Sequence, residues 1–456
     1  MSYALYHATR KNLSGVKASI LNDWMDNENT TSHRHEKIFD SEKDAKTFLG
    51  TLDGIFMILY AVSMFFWGWL GDRTNPRNVV ILGMIGSGLT LFLFGTLPYW
   101  LLFYSTAYYV FIYILFGIFQ GCGWPNEVTI MANWFPKTNR GFIMGLWAAC
   151  QPLGNIIGAI LVSIVLPLGY QYTFAFNSLL IILGAIALFM FIESKPSSAG
   201  YNYEELSHDE SETPEVLPTT RRRLSSASQP ITMLEAILLP NVLAYCLCNA
   251  CLKLVNYAFF FWLPYYLTSK YGWAESESNQ LATWYDIGGI VGSVIGGIIS
   301  DRLGYRSPVI VVMLIASLGT LSVYNGIGAS KVLHVLFMTI LGITVSGPYN
   351  LIVGTISVDL GSQPALAGNS KAMSTVSGLI DGTGSAGSAI GQFLVPFIQT
   401  SFDWQYVFYM FIIMNGLSIL CLAKRFYQDC CLLISPTFPS LVPRNIEERE
   451  RLLHHE

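Results

Sequence analysis

The stretch Gly68-Trp69-Leu70-Gly71-Asp72-Arg73-Thr74-Asn75-Pro76-Arg77 closes one long apolar run and opens another. Its skeleton returns half a chain later, in a sequence of 456 residues, as Gly297-Ile298-Ile299-Ser300-Asp301-Arg302-Leu303-Gly304-Tyr305-Arg306, with the glycine, the aspartate and both arginines at the same spacing. A duplicated set of hydrophobic spans is how many secondary transporters are built, so the repeat points to a membrane protein that moves a solute.

Composition leads to the same class. The chain is 52% hydrophobic and 12% charged, whereas a soluble domain carries about 25% charged residues to keep its surface wet. A formal net charge of -4 gives no reason to expect a nucleic-acid partner. Six cysteines (Cys122, Cys150, Cys246, Cys248, Cys251, Cys421) lie in or beside apolar runs, and Cys430 with Cys431 forms a pair near the end. None has disulfide or zinc-ligand spacing in a polar loop, so neither a stapled secreted domain nor a metal site is expected, and no cofactor. No nucleophile and base pair or phosphate loop suggests an enzyme. Gly382-Thr383-Gly384-Ser385-Ala386-Gly387 matches a dinucleotide fingerprint in letters only, because no strand precedes it.

A bilayer core needs about 20 apolar residues per helix. Runs of that kind fall at 47–70, 78–97, 104–131, 141–166, 172–192, 241–267, 280–299, 308–327, 332–358, 374–397 and 404–422. A twelfth, Met1 to Leu21, is amphipathic and reads as the later part of a first span that is N-terminally incomplete. The expected organisation is an all-α membrane protein: a six-helix bundle over 1–193, a disordered linker over 194–231, a second six-helix bundle over 232–425 and a tail over 426–456. Arg73, Arg77, Lys137, Arg140, Arg221 to Arg223, Arg302, Arg306, Lys371, Lys424 and Arg425 fall in alternate loops, the linker or the tail, which makes that side cytoplasmic by the positive-inside rule. The other side then holds Asn29-Thr30-Thr31, a glycosylation sequon at Asn29.

Ionisable residues inside a bilayer cost at least about 2.5 kcal/mol each and are functional candidates by default. Arg10 shares a helical face with Tyr3 and Tyr6, and His7 and Lys11 stand within a turn of it. An arginine fork suits a phosphate or carboxylate; the competing reading is that Arg10 and Lys11 anchor the helix at the headgroups. Lys253 occupies the seventh span, so two cations in equivalent helices would converge on one anion, unless Lys253 is spent in a structural pair with Asp286 or Asp381. The expectation is one central cavity holding both cations, with Tyr3, Tyr6, His7, Gln151 and Asn256 nearby as neutral hydrogen-bonding groups. Asp72, Arg73 and Arg77, with Asp301, Arg302 and Arg306, are expected to clamp neighbouring helices in one conformer and release them in the other.

The segments Tyr6-His7-Ala8-Thr9-Arg10-Lys11, Gly121 to Pro125, Asn133-Trp134-Phe135, Lys253-Leu254-Val255-Asn256-Tyr257, Phe261-Trp262-Leu263-Pro264, Trp284 to Gly289 and Gly368 to Ala372 give the chain a resemblance to the organophosphate:phosphate antiporters of the major facilitator superfamily. It most resembles the eukaryotic sugar phosphate exchangers. The resemblance implies the major facilitator fold, two six-helix bundles, and exchange of a sugar phosphate such as glucose 6-phosphate or glycerol 3-phosphate for inorganic phosphate. The family's first-helix arginine maps on Arg10. Its seventh-helix arginine maps on Asn256, one turn after Lys253, and its fifth-helix histidine on Gln151. Other readings are a facilitator of another anionic solute, or a non-transporting subunit whose partner is an accessory membrane protein. The family implies the endoplasmic reticulum membrane. The acidic dileucine form of Glu448, Leu452 and Leu453 makes the lysosomal membrane the second choice.

Overall fold

The computed structural model describes residues 1–25, 37–135, 147, 149–196, 233–361 and 370–434. Among them every regular element is helical. Among the described residues twelve long helical units, with one short helix between the halves, follow the chain. α1 is Ser2–Gly15, continued beyond a break at Val16 by Lys17–Met25; α2 is Glu42–Arg73; α3 is Pro76–Gly95 with a short extension, Leu97–Leu101; α4 is Thr106–Gln120 and Gly123–Trp134. Next come α5, Cys150–Val165, and α6, Tyr170–Phe191. A short helix, Met233–Leu238, precedes α7, Val242–Tyr271, α8, Glu275–Leu303, and α9, Ser307–Asn325. α10 runs from Lys331–Leu341 through Gly347–Leu351 to Ser357–Gly361, interrupted twice by π-helical turns at Gly342–Ser346 and Ile352–Ile356. α11 is Ser370–Ser401 and α12 is Trp404–Ile434. Ten of the units are both long and apolar enough to cross a membrane by length and composition.

The helices outrun the apolar runs at their polar ends, because a helix of 29 residues such as α8 is about 44 Å long at 1.5 Å per residue, more than a hydrocarbon core of about 30 Å. α12 accordingly continues to Ile434, so the tail expected from 426 begins as the last turns of a helix.

The repeated motif is a helix stop joined to a helix start. After Arg73 closes α2, the Asn75 side chain accepts from the Arg77 amide at 3.0 Å and Pro76 opens α3, a combination that satisfies one free amide and removes another. In the second copy Gly304 ends α8 at φ 73, the left-handed turn that glycine takes without strain.

Packing follows the repeat. The largest contacts between the halves are α2 with α11 and α5 with α8. Since the motif makes α2 equivalent to α8, and therefore α5 to α11, these two interfaces are one contact used twice. Side chains obey membrane polarity: Val62, Phe65, Phe66 and Trp69 of α2 are exposed, whereas Arg10, Lys11, Lys17, Asp53, Lys253 and Asp286 are buried. α1 reaches the centre because α5 lets it come close. A Cβ on Gly154 would lie 2.4 Å from the Ala4 carbonyl oxygen, and one on Gly158 would lie 2.6 Å from that of Ala8.

Gly158→Val should therefore destabilise the bundle by about 1–3 kcal/mol, the cost of overpacking a filled interface. The melting midpoint of the detergent-purified protein checks this. A midpoint equal to that of the unaltered chain would show that α1 and α5 can part freely.

Candidate functional site

α1 supplies most of the site. It carries His7, Arg10, Lys11, Asn12 and Lys17, all buried, so its polar face turns into protein rather than headgroups. The anchoring alternative for Arg10 and Lys11 does not describe this arrangement.

Arg10 donates from Nε to Gln120 Oε1 at 2.7 Å and from Nη2 to the Gln120 carbonyl at 3.4 Å, and its guanidinium lies 4.4 Å from the centre of the Tyr60 ring. Nη1 stands 3.3 Å from His7 Nε2. A guanidinium can only donate, so His7 Nε2 accepts and the imidazole is neutral with its proton on Nδ1. That proton is given to Asn155 Oδ1 at 2.9 Å, and Asn155 Nδ2 donates in turn to Asp286 Oδ1 at 2.8 Å. A polarised chain thus runs from Arg10 in the first half to Asp286 in the second. Among the described residues no carboxylate lies within ion-pairing distance of Arg10 itself.

Lys253 differs. Its Nζ donates to Asp381 Oδ1 at 2.6 Å and to Ser385 Oγ at 2.9 Å, so of the two carboxylates open to it, it takes Asp381. Tyr60 and Tyr257 lie within electrostatic reach of both Lys253 and Arg10, and the two cations therefore face a shared group of phenols. Lys11 crosses to the second half, donating to the Phe260 carbonyl at 2.6 Å. It borders a cavity of about 20 Å³ with Gln151, Asn155, Asn256, Tyr257, Ser346, Asn350 and Asp286. Asn256 accepts from the Tyr285 hydroxyl at 2.6 Å. The Tyr3 ring packs, tilted, against His7, Trp124 and Trp147. The Tyr6 hydroxyl is turned away, donating to the Val80 carbonyl at 3.0 Å with Cys122 Sγ also at 3.0 Å, so the stripe of Tyr3, Tyr6 and Arg10 does not meet in one space.

The halves are fastened on the face opposite the motif arginines. Lys17 Nζ pairs with Asp53 Oδ2 of its own half at 2.5 Å, both side chains fully buried, and reaches the other half by lying 3.5 Å from the centre of the Trp262 ring of α7. Glu275 of α8 accepts from the amides of Ala18 at 2.8 Å and Ser19 at 3.2 Å, and from the Ser19 hydroxyl. It thereby caps the second segment of α1 from the other half. Asn279 donates to the Gly15 carbonyl at 2.7 Å. Sequence reasoning missed Lys17, Gln120, Asn155, Glu275 and Asn279. Only Lys17 left a signal, as a further cation on a buried face.

On the motif face the charges bond within their own halves. Arg77 pairs with Glu193 at 2.9 Å and also meets the Phe189 carbonyl, tying α3 to the end of α6. Arg73 lies 4.3 Å over Trp69. Arg306 joins Asp301 and, at 3.0 Å, Asp359 of α10, and Arg302 is exposed. The Asp72 side chain and Lys137, Arg140, Asn29, Glu448, Leu452 and Leu453 lie outside the described residues.

Residues 41–380 match the model of the Major Facilitator Superfamily. Sugar phosphate exchanger 3 of Xenopus laevis is 42% identical over 440 residues, covering 91% of this chain and 88% of that protein. Its counterpart in Homo sapiens is 40% identical over 95% of this chain and 92% of its own length, and the glucose-6-phosphate exchanger of Mus musculus is 34% identical over 94% and 90%. Among solved structures, a bacterial homologue of the human lysosomal transporter Spinster, inward-facing and unoccupied, gives a TM-score of 0.68 at 14% identity, covering 94% of this chain and 95% of that one. A D-xylose–proton symporter gives 0.65 at 14%, over 93% and 95%; likeness at this identity bears on the fold alone. A chain with this repeat, this inward-turned polarity and these relatives is a multi-pass membrane transporter, not an enzyme, and it belongs to the major facilitator superfamily and, within it, to the sugar phosphate exchangers.

Proposed function

We propose that this chain exchanges an organic phosphate, a sugar phosphate such as glucose 6-phosphate or glycerol 3-phosphate, for inorganic phosphate by alternating access. The observation that carries the reading is Arg10, a buried guanidinium whose nearest partners are the neutral groups of Gln120, His7 and Tyr60. Burying a charge without a partner is strongly unfavourable, and an anion completes the arrangement. The phosphate is held first by Arg10, with Lys253 and Lys11 as the further cations and Tyr3, His7, Gln151 and Asn256 as neutral donors and acceptors. Tyr6 supports the helix and not the ligand. The names of the relatives supply the ligand class.

Alternation uses the fastened face. The bonds from Glu275 and Asn279 across the halves, with Lys17 seated against the Trp262 ring, hold that face shut, and rocking of one bundle against the other breaks them. Asp72, Arg73, Arg77, Asp301, Arg302 and Arg306 remain the candidate clamp that holds helices in one conformer and releases them in the other, supported by the Arg77–Glu193 and Arg306–Asp359 pairs at the motif face, which we assign to the cytoplasm. We further assign the chain to the endoplasmic reticulum membrane with Asn29 glycosylated. The lysosomal membrane, reached through Glu448, Leu452 and Leu453, is the second choice, and an accessory membrane subunit is a candidate partner.

Arg10→Ala should weaken exchange of labelled phosphate in proteoliposomes ten-fold or more, because a charge-assisted contact contributes about 1.5–3 kcal/mol. Arg10→Lys should restore part of it, since a lysine keeps the charge and loses the fork. Undiminished exchange by Arg10→Ala, at equal reconstitution, removes Arg10 from the site.

Asp53→Asn leaves Lys17 buried without its counter-charge and should lower the melting midpoint, as loss of one partner of a buried pair costs about 3–5 kcal/mol. The double variant Lys17→Met, Asp53→Leu should recover the midpoint but not the exchange rate. Recovery of both would make the pair structural filling and no part of the gate.

A further inference from the structure

Pro264 stands inside α7, and a proline has no amide hydrogen to give the carbonyl four residues back, here that of Phe260. A buried carbonyl deprived of its helical donor is normally satisfied in some other way. The first half supplies the donors: Lys11 Nζ reaches the Phe260 oxygen at 2.6 Å and the Ser14 hydroxyl reaches it at 2.7 Å. Lys11, Ser14 and Phe260 are all buried. A carbonyl oxygen has two lone pairs, so two donors of α1 fill the acceptor that the proline leaves open in α7. The interior proline of α11, Pro396, marks the same boundary between the halves. A Cβ on Gly50 of α2 would lie 2.4 Å from Pro396 Cγ and 2.7 Å from the carbonyl of Gln392, the one that this proline frees. There the first half brings a glycine, whereas at Phe260 it brings a charge. Among the described residues no carboxylate lies within ion-pairing distance of Lys11, so the Phe260 carbonyl is the acceptor that holds this ammonium.

We propose that Pro264 is a positioning residue for exchange: it leaves the Phe260 carbonyl as a latch that Lys11 closes when no anion is bound and releases when one is. This rests on the reading of Arg10 and Lys11 as phosphate contacts. A bond between two ions is stronger than one from an ion to a neutral carbonyl, so a phosphate held by Arg10 draws the neighbouring Lys11 off Phe260. Ser14 alone then spans the halves at this point, and the face fastened by Glu275 and Asn279 becomes easier to open. Once the anion leaves, Lys11 returns, because α7 has no amide with which to reclaim the carbonyl. An empty carrier is thereby held shut at this face, and each outward or inward passage needs a phosphate species for the return. Any other residue at 264 would donate its own amide to Phe260. Three donors would then compete for two lone pairs, and the latch would weaken.

The test uses the full chain reconstituted in liposomes loaded with labelled inorganic phosphate, with a potassium ionophore present so that charge does not build up. Efflux into phosphate-free medium measures net movement, and efflux into medium with unlabelled phosphate measures exchange. In the unaltered chain exchange should far outrun net efflux. Pro264→Ala should raise net efflux about ten-fold, the effect of losing one charge-assisted bond, while exchange stays within about two-fold. Ser14→Ala keeps the proline in α7 and removes only the second donor, so it should raise net efflux in the same direction by a smaller factor. No rise in Ser14→Ala overturns the latch, because a rise confined to Pro264→Ala belongs to the shape of α7. A parallel fall of exchange and net efflux in Pro264→Ala with a native melting midpoint, or net efflux as fast as exchange in the unaltered chain, also overturns it. Should Pro264→Ala fail to fold, Ser14→Ala decides alone. Absence of any phosphate exchange by the unaltered chain, or full exchange by Arg10→Ala, overturns the anion reading beneath the latch instead.

Discussion

A guanidinium kept in the middle of a bilayer must be compensated, and the way this chain compensates Arg10 organises much of what surrounds it. Gln120 and Tyr60 approach because they can donate, accept or lend a π face without adding charge. His7 is held neutral for the same reason, and its second nitrogen passes the polarity on through Asn155 to Asp286 in the other half. The compensation is thus spread across the interface instead of resting on one adjacent acid. Low dielectric strengthens every link of such a chain and makes any broken link expensive.

Lys253 shows the opposite solution within the same fold. Its charge is met at once by Asp381, with Ser385 beside it. The two halves therefore present inequivalent cations to one group of tyrosines although the bundles descend from one repeat. On the proposed reading, an incoming anion meets Arg10 bonded only to neutral groups and Lys253 already paired with Asp381, so contact with Arg10 comes first and competition for Lys253 second. The repeat gives the frame its symmetry, seen in the matched α2–α11 and α5–α8 contacts, and individual side chains remove that symmetry at the centre.

Much of this was legible in the sequence. The duplicated Gly68 to Arg77 motif and the lengths of the apolar runs gave the class and the order of the helices, because hydropathy and turn chemistry are local properties. The cations on the first and seventh spans could be singled out because charge in such a span is rare. What a one-dimensional pattern does not carry is the partner. Asp286 and Asp381 were equal candidates for Lys253, and only the approach of α11 to α7 decides between them. Tyr6 and Arg10 fall on one helical stripe, yet a hydroxyl turned toward Val80 and Cys122 does not share space with a guanidinium turned toward Gln120. Lys17 is visible in the pattern only as a further cation of the first segment, and nothing local names Asp53 and Trp262, which close over it. The π turns of α10 left no mark in composition at all.

The Lys17–Asp53 pair under Trp262 bears on electrical leakage. Two opposite charges at 2.5 Å with no exposed surface carry no net charge to draw an ion toward that face, and the Trp262 indole lies against the lysine. A carrier sealed by a single bare charge would attract counter-ions to its own barrier. One sealed by a neutralised, aromatic-covered pair behaves as a dielectric plug, so the membrane it sits in can keep its voltage and its proton gradient while the transporter waits for cargo.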